Sequence, residues 1–162
     1  MSKQSALLSA TSSSLLLEVV DGALVIQHWG APIHGDLTSV QTAIRPSITH
    51  SSWDQPQFPG IMRESSRGFL GRPTLSGHRN GKAWSTKFEV TDFHHQANHV
   101  AVTLRDFHAE LEVVITFDLD NHGVLFQRAT VKNLADTEYC LNGFIHWLPL
   151  PKEATQTLDF AG

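Results

Sequence analysis

Cysteine is almost missing from this chain: Cys140 stands alone among 162 residues. One thiol cannot close an internal disulfide, so the fold must stand on packing. A lone thiol, expected here to be buried, suits a reducing cytoplasm. Long apolar runs are missing too. Met1–Ala10 holds one lysine and the short patch Ala6-Leu7-Leu8, well short of the ~7–15 apolar residues and cleavage site of a secretory signal. Nothing approaches the ~20 residues of a membrane span. Charge of one sign is scarce as well: 12 Lys/Arg stand against 16 Asp/Glu, for a net charge of −4 and no basic run. That leaves no electrostatic footprint for nucleic acid or an anionic membrane. The chain reads as a cytoplasmic protein with neither partner. Its length and 41% hydrophobic content suit one domain with a real core rather than two.

Helical periodicity is equally scarce; the nearest candidate is a short turn near Pro151–Ala154. Strand patterns dominate instead. After a Ser/Thr-rich start, expected to be flexible over residues 1–14, Leu15–Val20 and Ala23–Trp29 flank Asp21-Gly22. Asp-Gly tolerates the positive φ angles of a type I′ turn, so this predicts a hairpin. Further on, Lys87–Phe93, His99–Arg105 and His108–Leu119 alternate polar and apolar residues, the last at Leu111, Val113, Ile115, Phe117 and Leu119. Val124–Val131 and Tyr139–Trp147 follow, beyond turns at Asp120–Gly123 and Asn133–Asp136. Period-2 alternation describes strands with one buried face. Turns spaced in this way predict an all-β, antiparallel two-sheet sandwich with few or no helices over residues 15–162.

Between Gly30 and Gly81 the character changes. Five of the seven prolines fall here: Pro32, Pro46, Pro56, Pro59 and Pro73. Proline removes a ladder donor, so long central strands are disfavoured. Yet the stretch carries Ile44, Trp53, Phe58, Ile61, Met62 and Phe69, more apolar bulk than disorder tolerates. It predicts a loop pinned onto the domain or onto a neighbour.

The chemistry-bearing residues form no recognisable catalytic set. His95 and His99 have the i, i+4 spacing of a metal pair, but their flanks read as strands around a Gln96–Asn98 turn, and no Glu follows His95 as in HExxH. No metal or cofactor is therefore expected. Asp106, Glu110, Glu112, Asp118 and Asp120 could supply the two carboxylates, roughly 5–9.5 Å apart, of glycoside hydrolysis. Glu110 and Glu112, however, read as one solvated strand face. Gly68-Phe69-Leu70-Gly71 has spaced glycines but opens no helix, so it is no phosphate loop. Trp29, Trp84 and Trp147, in or beside strands, read as core or interface fillers. Trp53, beside Asp54 in the Pro-rich loop, is open to either a sugar contact or a subunit contact.

Several segments taken in order resemble the N-terminal domain of glycoside hydrolase family 36, the α-galactosidases. His28-Trp29-Gly30 ends the first hairpin as the family's aromatic-Gly strand does. Arg45-Pro46 and Trp53-Asp54 lead to Gly60-Ile61-Met62-Arg63-Glu64, similar to the stretch that runs to a leu-leu-x-glu signature. Phe69–Pro73 stands at the asp-phe/tyr-arg-x-pro segment, without its acid. Gly77-His78-Arg79-Asn80-Gly81 fits a gly-his-arg turn. Leu158–Gly162 resembles the approach to the catalytic domain.

The resemblance implies a galactose-mutarotase-like β-supersandwich followed by a (β/α)8 barrel that carries both catalytic aspartates. Phe160-Ala161-Gly162 reads as mid-sequence, so that barrel is expected downstream and no catalytic residue here. The parent would hydrolyse terminal α-galactosyl groups with retention, as an oligomer, or in some relatives transfer them. This domain would support assembly and shape the pocket, and alone it would be inactive. In tetrameric relatives the matching loop reaches a neighbour's galactose pocket, which makes Arg45, Trp53 and Asp54 the substrate-binding candidates: Asp accepts and Arg donates hydrogen bonds to hydroxyls, and Trp walls a pocket. Two rivals remain at this stage. One is a stand-alone carbohydrate-binding sandwich. The other is a mutarotase-like epimerase, which needs His94, His108, His122 or His146 beside a carboxylate in a groove.

Overall fold

The Asp21-Gly22 turn and its flanking strands organise one half of the molecule. In the computed structural model, which describes residues 4–37, 60–150 and 155–156, both turn residues adopt positive φ, 48° and 76°. They join β2 (Ser14–Val20) to β3 (Ala23–Gly30), antiparallel and in register from Val20↔Ala23 to Ser14↔Gly30. A bulge between Leu16 and Leu17 lets Gln27 turn inward, where its Nε2 donates to Glu18 Oε2 at 3.0 Å.

Part of the start expected to be flexible over residues 1–14 is instead strand. β1 (Ser5–Ser9) adds to β2 and buries Ala6 and Leu8. The partners that hold it are distant in sequence. The Asn98 side chain accepts from Ser9 N and donates to Ser9 O, and the Ser12 and Ser13 hydroxyls donate to the carbonyls of His122 and Gly123.

The second half is a four-stranded meander: β5 (Glu89–Gln96), β6 (His99–Asp106), β7 (Leu111–Leu119) and β8 (Leu125–Asn133). The expected turn narrows to Ala97-Asn98, with Ala97 at φ 51°. The alternating residues of β7 are all buried, opposite Val100, Val102 and Leu104 of β6. They join Leu8, Leu15, Leu17 and Leu24 of the first sheet in one apolar cluster, so the two sheets close as a sandwich.

The described part of the Pro-rich stretch, read as loop, contains one short strand. β4 (Leu75–His78) pairs with β9 (Cys140–Phe144), with a shift at Gly77. Ahead of it Ile61, Met62 and Glu64 are buried, and Ile61 N donates to Leu24 O at 2.8 Å. A single 3-10 turn, Ser65–Arg67, ends at Gly68 in the left-handed conformation. The described residues thus form an all-β antiparallel fold, as the alternation predicts. The expected turn near Pro151–Ala154 lies outside them, and no described helix is long and apolar enough to cross a membrane.

Candidate functional site

The three substrate-binding candidates, Arg45, Trp53 and Asp54, lie outside the described residues. The carboxylates singled out from sequence are spread along strands and turns, and all but exposed Glu110 are occupied locally. Asp106 Oδ1 accepts from the amides of His108 and Ala109, and its Oδ2 from Lys87 N, all at 2.8 Å. Asp120 Oδ1 caps the next turn through the amides of His122 and Val124. Glu112 Oε2 sits 2.6 Å from Arg105 Nη2. Asp118 accepts from His99 Nδ1 at 2.6 Å and from Arg128 Nη1 at 3.3 Å. Glu110 and Glu112 do not share a strand face. Glu110 precedes β7 in the Asp106–Glu110 turn at φ 53°, because Asp106 gathers the turn amides before the ladder begins.

Other sequence expectations also change. Cys140 is exposed, not buried, since among the described residues β9 pairs only with short β4 and its first half faces solvent. Trp84 does not fill the core: it lies between β4 and β5 with 66% of its surface exposed. Trp29 does pack against the core. His94, His108, His122 and His146, on which an epimerase reading depends, are all exposed. His94 and His95 sit on β5, where His95 Nε2 bonds the Ala97 carbonyl. Among the described residues no three His, Cys, Asp or Glu side chains come together as a metal-sized group.

Arg105, Asp106, Phe107, Glu110 and Leu134 line a depression of about 200 Å³. That is below the ~300 Å³ where ligand pockets begin, and its Asp106 and Arg105 are already engaged. The stronger arrangements serve to brace the chain. Glu64, 3% exposed, accepts from Phe88 N at 2.7 Å and Arg67 Nε at 3.0 Å. Burial pushes its carboxyl up to about 7, against the pull of those donors. Arg67 continues to the carbonyls of Phe88 and Asp21, tying the turn of the first hairpin to the entry of β5. Arg79, in the expected gly-his-arg turn, donates to Thr137 O and Oγ1, Ala109 O and Asn133 Oδ1 and lies over the Tyr139 ring.

A third cluster was not foreseen. Trp147 and Phe69 meet edge to face at 6.2 Å, and the Arg63 guanidinium carbon stands 5.4 Å from the Phe69 centroid and 5.8 Å from that of Trp147. Gly71 makes room for it, since a Cβ there would fall 2.7 Å from the Phe69 ring. The sequence signal was thin: Arg63 and Phe69 lie in segments quoted for the resemblance, but Trp147 is 78 residues beyond Phe69 and no periodicity links them.

This geometry is a scaffold that displays surfaces, and comparison with known proteins identifies the scaffold. The model of the glycosyl hydrolase family 36 N-terminal domain matches residues 22–162. The chain belongs to this family. An α-galactosidase of Escherichia coli is 26% identical over 155 residues, which cover 96% of this chain and 22% of that protein. Two structures of the GH36 α-galactosidase AgaA from Geobacillus stearothermophilus share the fold. One is a complex with 1-deoxygalactonojirimycin and the other with raffinose. Both superpose with a TM-score of 0.70 over 88% of this chain and 24% of theirs, at 13% and 14% identity. The chain therefore spans about a quarter of the length of these relatives. Its β-sandwich is the fold of these family 36 relatives.

Proposed function

We propose that this domain is the front module of an α-galactosidase that hydrolyses terminal α-galactosyl groups of oligosaccharides with retention. The observation that carries the reading is the match of nearly the whole chain to the family domain and to an α-galactosidase. Double displacement needs a nucleophilic carboxylate and an acid/base partner facing one glycosidic bond. Among the described residues, the Asp and Glu side chains named above are committed to a turn, an ion pair or the core, apart from exposed Glu110, which supports a reacting pair carried by a barrel outside this chain. The module's own task is assembly and pocket shaping in a cytoplasmic oligomer. Arg45, Trp53 and Asp54 line a galactose pocket, that of a neighbouring subunit. There Arg and Asp read the sugar hydroxyls and Trp stacks on its C–H face.

Turnover of an aryl α-galactoside tests this. The full-length enzyme turns it over, the purified 162-residue chain does not, and Asp54→Ala in the full-length enzyme raises KM more than it lowers kcat. A full-length enzyme inert toward α-galactosides, or an active fragment, overturns the reading.

A further inference from the structure

We infer, independently of the α-galactosidase reading, that Asn80-Gly81 is a self-modification site, at which the Gly81 amide attacks the Asn80 side chain with His78 as the base. Asn-Gly occurs twice in the chain, at Asn80-Gly81 and Asn142-Gly143. Glycine has no Cβ to shield its own amide nitrogen, so the attack on the preceding Asn meets little hindrance. The fold treats the two sites differently.

Asn80 and Gly81 form the tip of a tight turn, at φ 50° and 76°. Two hydrogen bonds close it: Arg79 N donates to Lys82 O at 2.8 Å, and Lys82 N donates to Arg79 O at 2.9 Å. The Gly81 amide points elsewhere and donates to His78 Nδ1 at 3.2 Å. A ring nitrogen that accepts carries no proton, so a basic lone pair already faces the N–H of the nucleophile, within the reach of general base catalysis. The β4–β9 ladder holds the His78 backbone in place opposite Cys140. Among the described residues the exposed Asn80 side chain has no hydrogen-bond partner, so it is free to turn toward Gly81. A Cβ at Gly81 would meet nothing within 4 Å, so water reaches the turn. Asn142-Gly143 lies inside β9 instead, with Gly143 opposite Ser76 and closely packed on its hydroxyl.

The chemistry balances without an oxidant or a cofactor. Gly81 N bonds to Asn80 Cγ and gives its proton to His78 Nδ1. The tetrahedral carbon then expels the side-chain nitrogen as ammonia, which takes that proton back. Water opens the resulting five-membered imide at either carbonyl, leaving aspartate or isoaspartate at position 80. Either product sets a carboxylate beside Arg79, which ties this turn to Ala109, Asn133 and Thr137. Isoaspartate also lengthens the main chain inside the closed turn.

Incubation of the full-length protein at neutral pH, with isoaspartate measured peptide by peptide by mass spectrometry, tests this. Isoaspartate is expected to accumulate at position 80 about tenfold faster than at 142, and both His78→Ala and His78→Asn are expected to slow position 80 by about tenfold while leaving 142 unchanged. Equal rates at the two sites in the folded wild-type protein overturn the inference, whether or not the variants fold. So does a rate at position 80 that neither folded variant lowers, which would make the turn merely accessible.

Discussion

Glu64 shows how one side chain carries a pH dependence. Its carboxyl lies in the core with the Phe88 amide and Arg67 as donors, and burial lifts it from 4.5 to about 7. The folded protein thus holds this proton more tightly than the unfolded chain. The stabilisation is complete below about pH 4.5 and is lost as pH rises through about 7. A shift of this size corresponds to on the order of 3 kcal/mol at most. Glu64→Gln removes the titration and also an acceptor of Arg67, at a cost of roughly 1–3 kcal/mol. Urea unfolding at pH 5 and pH 8 should show a clear fall in wild-type stability between the two and a smaller fall in the variant; matching falls would clear Glu64 of the effect. Gly77 is a second residue whose role is geometric. A Cβ there would stand 2.5 Å from the Cys140 carbonyl and from the Tyr139 ring. Backbone cannot move aside as a side-chain tip does, so Gly77→Ala should destabilise by about 3 kcal/mol. A thermal midpoint within a degree of wild type would contradict the β4–β9 approach.

At the level of elements, β1 is the most informative. It is short, and its serines suit a frayed terminus, yet Leu8 is fully buried and Asn98 reads both the amide and the carbonyl of Ser9. The strand closes one edge of the first sheet and ties it to the β5–β6 turn. Leu8→Ala should therefore cost ~2–5 kcal/mol, the range for a core leucine. Residues outside the fold would tolerate it, so an unchanged unfolding midpoint would return β1 to the loose start that its composition suggests. The same reasoning separates β7 from β9. The alternating apolar residues of β7 meet β6 and β8 on either side and the first sheet above. β9 has one short partner, and its Cys140 and Leu141 stay in solvent.

Across the whole molecule, one apolar cluster draws from both large sheets, from Ile61 and Met62, and from Leu75 of β4. A shared core makes unfolding cooperative. Far-ultraviolet circular dichroism and tryptophan fluorescence should give superimposable denaturation curves, although Trp29 packs on the core and Trp84 faces solvent. Separated transitions would mean that the halves fold independently. The described residues form one shared β-sandwich core, in a chain that spans about a quarter of the length of its relatives.

What the sequence determined by itself is everything carried by local pattern. Alternation at Leu111 to Leu119 specified a one-sided strand, Asp21-Gly22 a hairpin with two positive φ angles, and the ordered motifs from His28 to Arg79 the family. Tertiary structure alone decided that Ser5–Ser9 pairs, that β4 finds β9 across more than sixty residues, that Glu64 enters the core, and that Cys140 and Trp84 do not. The physical reason is common to all of these: periodicity says that a strand has two unlike faces, but burial depends on which distant surface arrives to cover one of them.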